Sequence, residues 1–192
     1  MRRFALAAVL IAIAPATVVL DNPHVRVFRT TDGSLAGVDH GPGVVISLND
    51  GPAGTAVWMD NVASQAQSTF GGSLIIVQPR HAKTPPVVVP APGSAPGESP
   101  FIGMSFNPLF ENDQVRVIRA RMDVGAREAF HTHGSDTIVV HLSGGEIEDT
   151  ANGKTTVNRW KRGDVEFEAR GSSHSARNVG KAVDVVLVAL KQ

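Results

Sequence analysis

"AFHTHGSDTIVVHLSGG", Ala129 to Gly145, decides how this chain is read. His131 and His133 stand one residue apart, ahead of the β-branched run "TIVVHL". In a strand, residues i and i+2 point to the same face. The two imidazoles therefore aim together, at a spacing that suits two cis ligands of one metal ion. A third ligand must come from elsewhere in the chain. His174 is the candidate, in "GDVEFEARGSSHSARN" (Gly163–Asn178), near the end of an expected strand and after a turn at Gly171. Neutral imidazole suits zinc, iron, nickel, copper and manganese at varying strengths.

Outward from this stretch, helical periodicity is hard to find after residue 20. Short runs rich in Val, Ile and Phe recur instead: "HVRVFR", "GVVISL", "SLIIVQ", "QVRVIRARM", "DVEFE" and "DVVLVAL", broken by Gly, Pro, Asn and Asp. That pattern reads as all-β. Asn152-Gly153 is a hairpin signal, because both residue types tolerate positive φ.

The chain also repeats itself. "LDNPHVRVFR" (Leu20–Arg29) matches "FENDQVRVIR" (Phe110–Arg119), and "HGPGVVISL" from His40 resembles "HGSDTIVVHL" from His133. Residues 54–77 lie over 163–186 without gaps, placing Trp58 on Phe167 and Gln65 on His174. Several pairings in one order imply two related β units. Between them runs "TPPVVVPAPGSAPGESP" (Thr84–Pro100), whose prolines remove ladder donors. It reads as a linker spanning 83–100, or as an ordered strap across one barrel. The expected organisation is 17–82 for a degenerate first unit and 101–192 for a second unit that carries the histidine motifs.

The first residues differ from the rest. "MRRFALAAVLIAIAPA" has two arginines, an apolar run and small residues at Ala14 and Ala16. This is the layout of a secretory signal peptide over 1–16, and the run is short for a bilayer span. Export to a bacterial periplasm or the extracellular space is the expectation, with no stable membrane insertion after cleavage. The chain has no cysteine, which excludes thiolate metal sites, Fe–S clusters and Cys nucleophiles. Formal net charge is zero and no long basic run occurs, so nucleic acid is not an expected partner.

The two histidine stretches resemble the two sequence motifs of the cupin superfamily. The first reads Gly125, "AREAF", His131-Thr-His133, and on to Gly144. The second reads Gly163, "DVEFE", Ala169-Arg170-Gly171, "SS", His174, "SAR", Asn178, with Ala169 where the family has proline. The resemblance implies small jelly-roll barrels, here two in tandem. It also implies a metal inside the second barrel, held by His131, His133 and His174. The family's glutamate is missing: Thr137 stands in its place, with Asp136 beside it. Asp136 is a candidate fourth ligand only through a bulge or loop, since a regular strand would turn it to the other face. The first unit lacks this equipment, with Val38 and Gln65 where His131 and His174 would be.

Other residues are weaker candidates. Thr137 and His141 share a face and are pocket candidates, with a buried, hydrogen-bonded structural role the alternative for His141. They lie about 13 Å apart along a strand, so His141 is outside any first shell at Thr137. Arg119 and Arg121 suit a carboxylate clamp or a solvated strand face. Glu128 is an acid/base candidate or a solvated loop residue. Asn178 is expected to tie a turn. The expected function is an exported cupin-domain protein with one divalent metal ion (Zn, Fe, Mn or Ni), a metal-dependent enzyme of dioxygenase or isomerase type acting on a small molecule. The alternative is a non-catalytic small-molecule or metal-binding module with a vestigial site. Cupin barrels often pair, so a homodimer is compatible with the resemblance, although two barrels in one chain can satisfy that pairing internally.

Overall fold

The computed structural model describes residues 15–49, 54–64, 71–80, 87–93 and 95–191. The expected signal segment, apart from its last two residues, lies outside them, as do Gln65 and His81. Among the described residues no helix is long and apolar enough to cross a membrane.

The fold is all-β. The N-terminal unit holds β1 (Thr17–Asp21), β2 (Val25–Thr30), β3 (Gly43–Ser47), β4 (Ala56–Met59) and β5 (Leu74–Pro79), in the order β1-β2-β5-β3-β4. The C-terminal unit holds β6 (Phe101–Glu111), β7 (Val115–Thr132), β8 (Thr137–His141), β9 (Gly145–Ala151), β10 (Lys154–Trp160), β11 (Val165–Glu168), β12 (Ser173–Asn178) and β13 (Val183–Leu190). Each apolar run singled out in the sequence is part of a strand. At the β9–β10 turn, Asn152 and Gly153 have φ of 52° and 72°, as the hairpin signal requires.

The repeat is visible strand by strand. The order β6-β7-β13-β8-β11 reproduces β1-β2-β5-β3-β4. Asn22 and Asn112 close the two equivalent hairpins identically. Each side-chain oxygen accepts the backbone N–H groups two and three residues on, at 2.8 and 2.9 Å in the first hairpin and 2.9 Å twice in the second. The C-terminal unit adds a second sheet. Long β7 pairs with β13 through residues 115–122 and, after a bend at Gly125, with β12 through 127–132. β9 and β10 continue that sheet beyond β12. The unit thereby curls into a jelly roll around an interior. Among the described residues the N-terminal unit is the one five-stranded sheet.

Side-chain alternation assigns the faces. Val117, Ile138, Val140, Val186 and Val188 point away from the jelly-roll interior and meet Val27, Val44, Ile46, Ile75 and Val77 of the N-terminal sheet in one buried cluster. Full burial of such side chains contributes about 1.5–3 kcal/mol each. The contact is reciprocal between repeats. Gly163 packs on Leu48, where a Cβ would come within 3.0 Å of Leu48 Cδ1, and its counterpart Gly54 packs on Leu142, the counterpart of Leu48. Both glycines have positive φ, 82° and 84°. The other face of the N-terminal sheet buries Phe28, Val45 and Ile76 beneath Leu35, Val38 and Val62. The described part of the proline-rich segment lies along the jelly roll: the Gly93 N–H donates to the Phe130 carbonyl at 2.7 Å.

Candidate metal centre

His131 closes β7 and lies directly opposite His174 in the β7–β12 ladder. Directly paired residues bring their side chains together on one face, and His133 joins them from two residues further on. The ring centroids are 4.7 to 5.0 Å apart. One nitrogen from each ring falls within 4.8 Å of the others. The structure thus brings together the three histidines expected from the sequence.

Two of the rings are held from behind. The Nδ1 of His174 is 2.8 Å from Asp149 Oδ1, and that of His131 is 3.0 Å from the Ala129 carbonyl. Both acceptors fix the Nδ1–H tautomer and leave Nε2 facing the cluster. Backing by a carboxylate or carbonyl in this way is the usual support of metal-ligating histidine. His133 Nε2 lies 3.1 Å from His174 Nε2.

The carboxylates beside the histidines are Glu128, an acid/base candidate in the sequence, and Glu168, while Asp136 is engaged elsewhere. Asp136 is buried, but its Oδ1 accepts the Arg170 N–H at 2.7 Å and its Oδ2 lies 3.2 Å from His24 Nδ1. It is not brought to the histidine cluster. His24 is half-buried in this contact. Two glutamates stand at the cluster instead. Glu168 Oε2 is 3.6 Å from His133 Nδ1, and its Oε1 is 3.9 Å from His174 Nε2. Glu128 Oε2 is 3.8 Å from His174 Nε2 and 4.0 Å from His131 Nε2.

Their placement has local causes. Glu168 pairs directly with Thr137 across β11 and β8, so its carboxylate reaches the site from one strand beside the expected position. Glu128 would face away from His131 in a regular strand. The register shifts between His174 and Ala176, where two residues of β12 face three intervals of β7. That bulge turns Glu128 inward.

Burial dominates the electrostatics. It lowers His133 to about 4, helped by the neighbouring His174 and His131. It pushes Glu168 well above the ordinary carboxylate range, reinforced by Glu166, Glu128 and Asp149. It also raises Glu128, against the opposing influence of His131 and His174. Burial thus disfavours the charged forms of His133, Glu168 and Glu128. A divalent cation among them would offset the cost of ionising the two carboxyl groups. Nitrogen ligands at about 2.0–2.1 Å from a tetrahedral metal lie about 3.4 Å apart, a spacing that small shifts of these rings supply.

The cluster closes one end of a cavity of about 320 Å³ inside the jelly roll. Ile118, Met122, Ile147, Val185 and Leu187 form its apolar wall, and Thr137 and His141 line it as expected. Arg119 and Arg121 are drawn outward to Asp184, at 3.5 and 3.2 Å. Asn178 ties its turn by donating to the carbonyls of Met122, Asp123 and Lys181 and accepting the Gly180 N–H.

In comparison with known proteins, about half of the chain is similar to solved cupin structures. A cupin domain from Bordetella pertussis matches at 21% identity and a TM-score of 0.45, covering 47% of this chain and 96% of that one. An RmlC-like cupin from Shewanella frigidimarina matches at 19% identity and 0.40, covering 47% and 78%. The polyketide cyclase RemF from Streptomyces resistomycificus matches at 16% and 0.43, covering 50% and 70%. No family model and no curated protein matches the chain.

Proposed function

We propose that this protein is an exported, cupin-type, metal-dependent enzyme of oxygenase or isomerase type, acting on a small molecule in the jelly-roll cavity. One divalent ion is held by His131, His133 and His174, with Glu168 and Glu128 beside it. The observation that carries this reading is the convergence of three imidazoles, two of which, His174 and His131, are backed by Asp149 and the Ala129 carbonyl so that Nε2 faces the cluster. Bound there, the ion supplies Lewis acidity toward a carbonyl, water or O₂. Asp149 orients His174. Glu168 and Glu128, raised by burial, are placed to hold or take a proton at their carboxyl oxygens next to the reacting group. The apolar wall excludes water from the substrate. Export rests on the N-terminal sequence pattern alone.

The test is metal content by elemental mass spectrometry on untagged protein, beside the His131→Ala/His174→Ala double variant. Near one equivalent in the wild type and none in the variant is expected. No metal in either after reconstitution overturns the reading and leaves a metal-free binding module.

A further inference from the structure

At the end of the cavity away from the metal cluster, His141 is 3% exposed, and neither ring nitrogen has a hydrogen-bond partner. A buried polar group without a partner is costly to keep, so the ring calls for a ligand. The ring is not free to turn away. It stacks on Trp160 with centroids 4.5 Å apart and planes 16° from parallel, and its backbone is held by Asp164 and Gly163 at 3.0 and 2.7 Å. Both His141 and Trp160 line the cavity.

Glu166 completes the arrangement. Its Oε2 lies 3.9 Å from His141 Nε2, too far for a hydrogen bond between them. It is also the separation at which a single hydroxyl oxygen sits about 2.8 Å from each. Such a hydroxyl accepts from the imidazole N–H and donates to the carboxylate. Hydroxyl is the group that does both.

Charge narrows the class further. The cavity is lined by Glu128, Asp149, Glu166 and Glu168. The two arginines at its edge are already engaged, Arg116 with Glu111 at 2.7 Å and Arg121 with Asp123 at 2.9 Å. Among the described residues, no side-chain cation lining the cavity is left for a carboxylate or phosphate at the His141 end. Between the two polar ends the wall is apolar.

We propose that His141 and Glu166 form a hydroxyl-recognition subsite, and that the cavity takes a neutral, largely apolar alcohol or phenol lying between this subsite and the metal end. The proposal deepens the function proposed above, because the same cavity is used. It is tested separately from the metal. Binding of 4-ethylphenol, ethylbenzene and 4-ethylbenzoate is measured by titration calorimetry on the full chain, chelator-treated and zinc-loaded. The expected result is a preference for 4-ethylphenol over the other two of about tenfold, the scale of one well-made buried hydrogen bond. In His141→Leu and in Glu166→Gln that preference falls to about twofold or less, with and without zinc. Glu166 is one-third exposed and tolerates the change to Gln, so this arm stands even where His141→Leu does not fold. An unchanged preference in the variants, tighter binding of the benzoate, or no binding of the phenol overturns the proposal. If zinc does not bind while the preference depends on His141 and Glu166, the metal reading fails and the subsite stands.

Discussion

Asp149 Oδ1 lies 2.8 Å from His174 Nδ1, on the side of the ring away from the other two histidines. The two residues come from adjacent strands, β9 and β12, offset by two positions in the ladder. The contact selects the Nδ1–H tautomer and turns Nε2 toward the other two histidines. Asp149→Ala is therefore expected to keep the fold and weaken metal affinity by about 10- to 100-fold, the usual effect of losing such a partner. Competition with a chelator of known zinc affinity measures it. An unaltered affinity would remove Asp149 from the site.

Asp136 makes the opposite prediction. Its Oδ1 accepts the Arg170 N–H and its Oδ2 lies against His24 without a hydrogen bond, so it is engaged away from the histidine cluster. Asp136→Ala should retain full metal stoichiometry and lose about 1–3 kcal/mol of stability, as expected for removing a charged hydrogen-bond acceptor from a buried site. Urea denaturation and elemental analysis of one preparation give both numbers. Loss of metal with unchanged stability would return Asp136 to the ligand set.

These two aspartates mark where sequence reading succeeds and where it stops. His131 and His133 are legible because strand parity is local, and His174 because the motif spacing carries it. The sheet order is legible through the repeat, since residues 54–77 over 163–186 places β4 on β11 and β5 on β13. Glu128 is named by its closeness to the motif, but its inward turn is not legible: without the bulge opposite β12 it belongs to the outer face. Glu168 is hidden because its relation to Thr137 is a cross-strand pairing. The alternation in "VEFE", which puts Glu166 and Glu168 on one face, is the available signal. The pairing of His24 with Asp136 depends on how two sheets dock, which no spacing encodes.

Glu168 gives a pH-dependent prediction for the metal-free protein. Its carboxyl is raised above the ordinary 4.5, so the folded state holds that proton more tightly than the unfolded chain. Its contribution is fully present below pH 4.5 and is lost as pH rises through the raised value. His133 works in the other direction. Lowered to about 4, it contributes stability above pH 6.5 that is lost as pH falls toward 4. In chelator-treated protein, Glu168→Gln should therefore melt higher than wild type by a margin that grows from pH 5 to pH 8. Adding zinc should reverse the order, because the ion compensates the carboxylate. Differential scanning fluorimetry across that range, with and without zinc, checks both signs.

The shared core between the two sheets predicts how the molecule unfolds. Ile138, Val186 and Val188 on one side and Val27, Ile46 and Val77 on the other are buried by each other. Neither sheet keeps that face dry alone, so the units should unfold together. One tryptophan reports on each. Trp58 sits on β4, with Nε1 donating to Asp60 at 3.0 Å, and Trp160 sits on β10 against His141. In Trp58→Phe and Trp160→Phe, the remaining fluorescence should change at the same urea concentration as the far-UV circular dichroism, as a two-state transition requires. Ile138→Ala, on the C-terminal side of the contact, should cost about 2–5 kcal/mol and lower the Trp58 midpoint as much as the Trp160 midpoint. Separate midpoints, or a shift confined to Trp160, would mean that the halves are independent and that the contact between them contributes little.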